Sequence, residues 1–350
     1  MEKHTTYHDE MDRKNILKQR EILSTLPSFC GQFFRGIGET TSTRTRIAYA
    51  YDIRVFFEYL QEHNKILKKM LITDYPLTIL DEITRSDIEE YLDYCSLYEK
   101  DGKTYTNKER GKQRKLASLR SFYNYYFKSE LIKTNPAELV SFPKNHDKEI
   151  VRLDVNEVAI LLDQVEHGEK LTKNEERFHS KTKIRDLALL TLLLGTGIRV
   201  SECVGLDLKD VDFENNGIKI KRKGGKEVVV YFGDEVESAL KDYFEQRRHT
   251  IPETGNENAL FLSLQNKRIN VRTVENLVKK YSSKVTTLKN ITPHKLRSTY
   301  GTTLYKETGD IYLVAEVLGH KDVNTTKKHY AAIDDETRRR AAKFVKLREP

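Results

Sequence analysis

Three short stretches of this chain carry side chains suited to gripping a phosphate. In "LGTGIRVSE", Arg199 stands three residues before Glu202, so the two share a helical face, with Thr196 placed to cap the helix that Arg199 opens. In "ITPHKLRSTYGTTL", Thr292 is a good N-cap and Pro293 suits the first helical position. His294 and Arg297 then lie on one face of the first turns. A helix N-terminus favours an anion, and an imidazole and a guanidinium added there make an anion site. In "LGHKDVNTTKKHY", Gly319 is the left-handed stop of the helix "DIYLVAEVL" and His320 follows it. A short helix is expected to begin near Asn324 and to carry Tyr330, ten residues after His320. Taken singly, each piece has an ordinary structural reading: a surface ion pair, a solvated basic face, a satisfied histidine, a packed tyrosine.

Together they describe one chemistry. Two arginines can clamp a phosphate bidentately. Two histidines can donate hydrogen bonds or move a proton near neutral pH. A tyrosine oxygen can attack phosphorus. With a phenol pKa near 10, only about one tyrosine in a thousand is ionised at pH 7, so a base or a cationic field must supply about 4 kcal/mol. The departing 5′-oxygen needs a proton, which a lysine on a hairpin could give. Arginine contacts that tighten as charge builds on the phosphate are worth roughly 3–4 kcal/mol each, by analogy with oxyanion-hole donors. No metal or other cofactor is expected, because no ligand spacing and no phosphate-binding glycine loop is present.

Composition points the same way. The 350 residues are 33% charged and 38% apolar, with a formal net charge of +8 and a pI of about 9.0. Such a surface suits a polyanion. No run approaches 18 apolar residues and the first residues lack a signal-peptide pattern, so a cytoplasmic protein without membrane contact is expected. Cys30, Cys95 and Cys203 lie far apart and suit neither a disulfide framework nor a zinc site.

The elements that must position these residues read as mainly α with one small antiparallel sheet. Residues 1–25 form a polar, helical leader. Residues 26–140 read as all-helical, with helices over 41–64, over 83–100 capped by Thr84 and Asp87, and over 108–128. Residues 103–128 hold eight Lys or Arg and one acid, so one face of that helix can pack while the other meets phosphates. Arg44, Arg46, Lys112, Arg114, Lys115 and Arg120 are the candidate DNA contacts. Pro136, Pro143 and a charged run place a linker at 141–153. The second domain, 154–333, starts with a helix near Asp154, continues through a solvated loop over 167–183, and contains two alternating strands around Gly224-Gly225. Residues 334–350 read as a tail helix with Ala341, Phe344 and Val345 on one side.

The ordered set Arg, Lys, His-x-x-Arg, Gly-His, Tyr resembles the tyrosine recombinases, or integrase family. The matching pieces are "TGIRVSE", "KRKGGKE", "PHKLR", "LGH" and the downstream tyrosine, one residue further on than is usual in the family. The resemblance implies a two-domain clamp: a helical core-binding domain and a catalytic domain closing on duplex DNA. It implies that Arg199 and Arg297 bind the scissile phosphate and that His294 and His320 contact its other oxygens, with His294 as general base. Glu202 would support that network. Lys223 occupies the place of the general acid, with Lys221 and Lys226 as competitors. Tyr330 would become joined to the DNA 3′-phosphate. The implied activity is site-specific strand exchange for a mobile element or a Xer-like system, by a protein that is a monomer or weak oligomer without DNA and a tetramer on two DNA sites, its tail helices docking in neighbouring protomers. The alternatives are type IB topoisomerase-like breaking and rejoining without exchange, a non-catalytic DNA-binding regulator on the same fold, and a hydrolase in which the histidines bind a metal.

Overall fold

A computed structural model describes residues 6–144, 151–222, 225–320 and 323. The chain divides into two compact units, residues 1–147 and 148–350.

The first unit begins with α1 (Tyr7–Leu23), α2 (Cys30–Gly36) and α3 (Thr43–His63). The polar leader is thus not a separate segment. Its residues 7–23 form α1, which packs on α3 and buries Ile22 almost completely in the shared core. Then come α4 (Ile79–Glu82) and α5 (Arg85–Tyr94), the latter opened by the expected reciprocal cap between Thr84 and Asp87. The helix expected to run to Lys100 stops at Tyr94. Residues Leu97–Lys100 (β1) instead pair antiparallel with Lys103–Thr106 (β2) across Asp101-Gly102, both at positive φ. An Asp-Gly pair between threonine- and tyrosine-bearing segments favours such a hairpin, and it outweighs helical periodicity there. The unit closes with α6 (Glu109–Lys128) and α7 (Pro136–Leu139).

Aromatic rings fill the centre of this unit. Phe122 of α6 meets Phe33 and Tyr126 edge-on, each with centroids 5.1 Å apart. Edge-to-face pairs of this kind add roughly 0.5–1.5 kcal/mol beyond their burial. A charged cluster joins α3 to α6: Asp52, 1% exposed, accepts from Lys115 at 3.3 Å and from Arg114.

The second unit opens with α8 (Val155–His167), where Asp154 and Glu157 exchange backbone caps. The following helix, α9 (Lys173–Thr196), absorbs most of what read as a solvated loop over 167–183. Thr172 and Glu175 cap each other and start the helix early, and His179 turns inward to Val165 O at 2.8 Å. Its C-terminal half buries Leu189, Leu190, Leu192 and Leu193 on all sides between α8, α11 and α13. A helix apolar all round is the core of its domain.

Next come α10 (Val200–Val204), a three-stranded antiparallel sheet of β3 (Val211–Asp212), β4 (Gly217–Lys221) and β5 (Glu227–Tyr231), and α11 (Asp234–Arg248). The chain continues through α12 (Val271–Ser282), α13 (Pro293–Thr308) and α14 (Ile311–Leu318). The β4–β5 hairpin stands where its sequence pattern places it, with β3 as an added edge. Among the described residues, no helix is long and apolar enough to cross a membrane. The tail over 334–350 lies outside the described residues.

Candidate active site

Three chain breaks bring the site together. The first is Gly-Thr-Gly at the end of α9. Thr196 does not cap the next helix. It is the last residue of α9, its hydroxyl turned back to Leu192 O at 2.5 Å, and Gly197 at φ +62° ends the helix. The chain then reverses, so Arg199 itself is the N-cap of α10. Its backbone N–H donates to Glu202 Oε2 at 2.8 Å, and its Nη1 donates to Glu202 Oε1 at 2.8 Å. The Glu202 side chain is 5% exposed and the Arg199 side chain 37% exposed, so the buried carboxylate aims a partly open guanidinium. Nη2 of Arg199 also reaches Gly319 O at 3.4 Å.

The second break is the start of α13. Thr292 sits at the N-cap and Pro293 at the first helical position, although the threonine hydroxyl makes no capping bond. His294 is exposed in the first turn, while Arg297, one turn on, is only 5% exposed. Arg297 donates from Nη1 to Gly197 O at 2.6 Å and from Nη2 to Leu318 O.

The third is the end of α14. Gly319 at φ +62° stops the helix, and the backbone N–H of His320 folds back to Ala315 O at 2.9 Å. Arg297 and Arg199 therefore hold the consecutive carbonyls of Leu318 and Gly319, immediately before half-buried His320. Four of the residues picked from sequence, Arg199, Glu202, Arg297 and His320, are drawn to one place from segments up to about 120 positions apart, Arg199 and Gly319 being that far separated in the chain. His294 is carried on the same helix as Arg297. Lys223 and Tyr330 lie outside the described residues.

A further residue belongs here that sequence reasoning passed over. Arg222, directly after β4, donates from Nη1 to Glu316 O at 3.3 Å and from Nη2 to Val317 O at 2.6 Å. Three guanidinium groups thus meet four successive carbonyls of the α14 terminus, where the helix dipole is negative. Burial holds Arg222 below the ordinary arginine range; the nearby Glu202 charge opposes that and the Arg199 charge adds to it. The signal was the "KRK" of the hairpin, but three adjacent basic residues do not say which one turns inward.

The proposed DNA contacts of the first unit divide sharply. Arg44 is exposed, and Arg46 and Lys112 are partly so. Arg114, 48% exposed, reaches Asp52. Lys115 and Arg120 are spent inside the fold. Lys115 is 3% exposed against Asp52. Arg120 donates to Ala137 O at 3.1 Å, Glu138 O at 3.2 Å and Val140 O at 2.5 Å, and lies over the Phe142 ring at 4.2 Å. The α6 basic stripe is therefore narrower than its composition implies, because half of it binds neighbouring segments. Among the described residues, no group of three His, Cys, Asp or Glu side chains is disposed to hold a metal ion.

Residues 151–337 match the Phage integrase family. The tyrosine recombinase XerC of Leptospira interrogans is 31% identical over 291 residues, covering 83% of this chain and 84% of that protein. In fold, the chain is similar to XerH site-specific recombinase in its post-cleavage complex with a palindromic difH substrate, with a TM-score of 0.64 and 22% identity over 87% of this chain and 80% of that one. It is also similar to the Tn1549 transposon integrase in complex with circular intermediate DNA, with a TM-score of 0.57 and 21% identity over 80% and 94% of the two chains. The chain belongs to the phage integrase family, the tyrosine recombinases.

Proposed function

We propose that this protein is a site-specific recombinase acting on double-stranded DNA, with Arg199 and Arg297 on the scissile phosphate. Tyr330 attacks phosphorus and the P–O5′ bond breaks. The phenolic proton passes to His294, and Lys223 protonates the departing 5′-oxygen. His320 donates to a non-bridging phosphate oxygen, and Glu202 fixes Arg199. The resulting 3′-phosphotyrosine keeps the energy of the broken ester, so a 5′-hydroxyl of a second strand reverses the attack. Residues 26–140 contact DNA through Arg44, Arg46, Lys112 and Arg114, residues 154–333 carry the chemistry, and the tail over 334–350 links protomers of a tetramer.

One observation carries the reading. Two guanidinium groups from distant segments are fixed on adjacent carbonyls beside His320, the arrangement a single phosphate needs. Mixing two candidate DNA sites on separate labelled fragments tests the function. Recombinant product that forms in chelator and vanishes in Tyr330→Phe supports it. Relaxation of supercoiled plasmid without recombinant product points to breaking and rejoining alone, and binding without a covalent adduct points to a regulator.

A further inference from the structure

The turn end of the β4–β5 hairpin is closed twice by one residue. The Arg222 backbone N–H donates to Lys226 O at 2.8 Å, and Arg222 O accepts from Gly225 N–H at 3.0 Å. The side chain of the same residue reaches across to the last turn of α14, at Glu316 O and Val317 O. The approach is close: a Cβ on Gly319 would stand 2.2 Å from Arg222 Nη1, so glycine at that position both adopts the left-handed turn and leaves room for the guanidinium. Lys223 is the next residue in the chain, and His320 follows the anchored turn.

We infer that Arg222 is a positioning residue: it ties the β4–β5 hairpin, in which Lys223 is the next residue, to the α14 terminus that precedes His320, and proton donation to the leaving oxygen depends on that tie. The inference rests on the reading of Lys223 as the donor to the leaving oxygen. A charged guanidinium suits this work because its two terminal nitrogens donate in a fixed plane to two carbonyls, whereas a lysine offers a single nitrogen on a flexible stem. The hairpin's own pairing continues from Lys221–Glu227 to Gly217–Tyr231 without help from the Arg222 side chain. Losing the side chain therefore frees the hairpin from α14 and leaves the sheet intact.

The test uses the full chain and a nicked DNA substrate whose 5′-leaving atom is either oxygen or sulfur. With oxygen, the P–O5′ bond breaks as the Tyr330 O–P bond forms, and the oxygen takes the donor's proton. With sulfur, the P–S bond breaks and the sulfur departs as thiolate, because a thiol ionises near about pH 8.5. Arg222→Gln is expected to slow single-turnover cleavage of the oxygen substrate about tenfold or more, as loss of an aligned acid does. It should leave the sulfur substrate within about twofold of wild type and DNA affinity unchanged. Lys223→Ala calibrates full rescue, and Arg222→Lys should fall between Gln and wild type. If Arg222→Gln does not fold, Arg222→Lys carries the same comparison of the two leaving atoms. Equal slowing on both substrates, or no slowing on oxygen, overturns the role given to Arg222. Failure of the wild type to form an adduct with either substrate refutes the recombinase reading instead.

Discussion

Replacing Arg297 with alanine separates the two tasks the structure gives that residue. Its guanidinium bonds the carbonyls that end α9 and α14, Gly197 O and Leu318 O, and both residues are buried. A hydrogen bond from a charged donor contributes roughly 1.5–3 kcal/mol, so the pair sets a ceiling of about 3–6 kcal/mol. Water entering the vacated space restores part of that, and we expect a loss of about 3 kcal/mol, a large share of a typical domain's 5–15 kcal/mol. The chain has no tryptophan, so urea unfolding is best followed by circular dichroism. Hydrogen exchange then locates the damage, with protection falling at Gly197, bonded to Leu193 O, and at His320, bonded to Ala315 O. Arg297→Lys should recover about half the stability yet remain at least about 100-fold slow in forming the covalent adduct, because one ammonium lacks the planar, parallel pair of donors that matches two phosphate oxygens. Stability within about 0.5 kcal/mol of wild type in Arg297→Ala, with unchanged exchange at both helix ends, would refute this account of the site's scaffold.

Other outcomes follow from the same geometry. Lys112→Ala should weaken DNA binding at all sequences and lower the salt slope by about one unit without affecting stability, whereas Lys115→Ala should cost about 3 kcal/mol by leaving buried Asp52 short of a partner; titrations at several salt concentrations, paired with melting curves, separate the two. The backbone N–H of Thr172 holds Glu175 below the usual carboxylate range, with Lys284 adding to it. Its contribution to stability is therefore complete above about pH 4.3, the unfolded value, and is lost as pH falls through the lower folded one. Glu175→Gln should accordingly cost about 0.5–1 kcal/mol at pH 7 and nothing at pH 2, read from urea midpoints at the two pH values. Burial pushes the thiols of Cys30, Cys95 and Cys203 upward. A disulfide reagent at pH 8 should react with none in the native protein and with all three after denaturation.

Much of this arrangement was legible in the residues. The capping pair Thr84-Asp87, the helix start at Asp154, the glycine stop at 319 and the strand alternation around 217–231 act over a few positions, so local chemistry decides them. The errors arose where two local signals competed. Between Tyr94 and Asn107, helical spacing yielded to an Asp-Gly turn. Over 167–183, charge suggested a loop, but Thr172 and Glu175 cap a helix whose charged residues there face outward while His179 and Thr182 turn in. Thr196 has the chemistry of a cap, but the glycine after it ends one helix before the other begins. Partner choice was the least legible. Lys115 and Arg120 look like phosphate ligands in a basic run, yet Asp52 lies more than sixty positions away and the 137–140 carbonyls come after a turn. Arg222 was hidden for the same reason, since only the fold brings the α14 terminus to the hairpin.

The central claim is that a phenolic oxygen at position 330 takes over a phosphodiester beside these arginines. It is tested most directly by trapping the enzyme on a nicked duplex in the presence of chelator, digesting with trypsin and nuclease, and sequencing the nucleotide-bearing peptide by mass spectrometry. The account predicts a 3′-phosphonucleotide on Tyr330, the lone tyrosine of the tryptic peptide spanning residues 329–338, and none in Tyr330→Phe. An adduct on another residue, or one that persists in that variant, would contradict it.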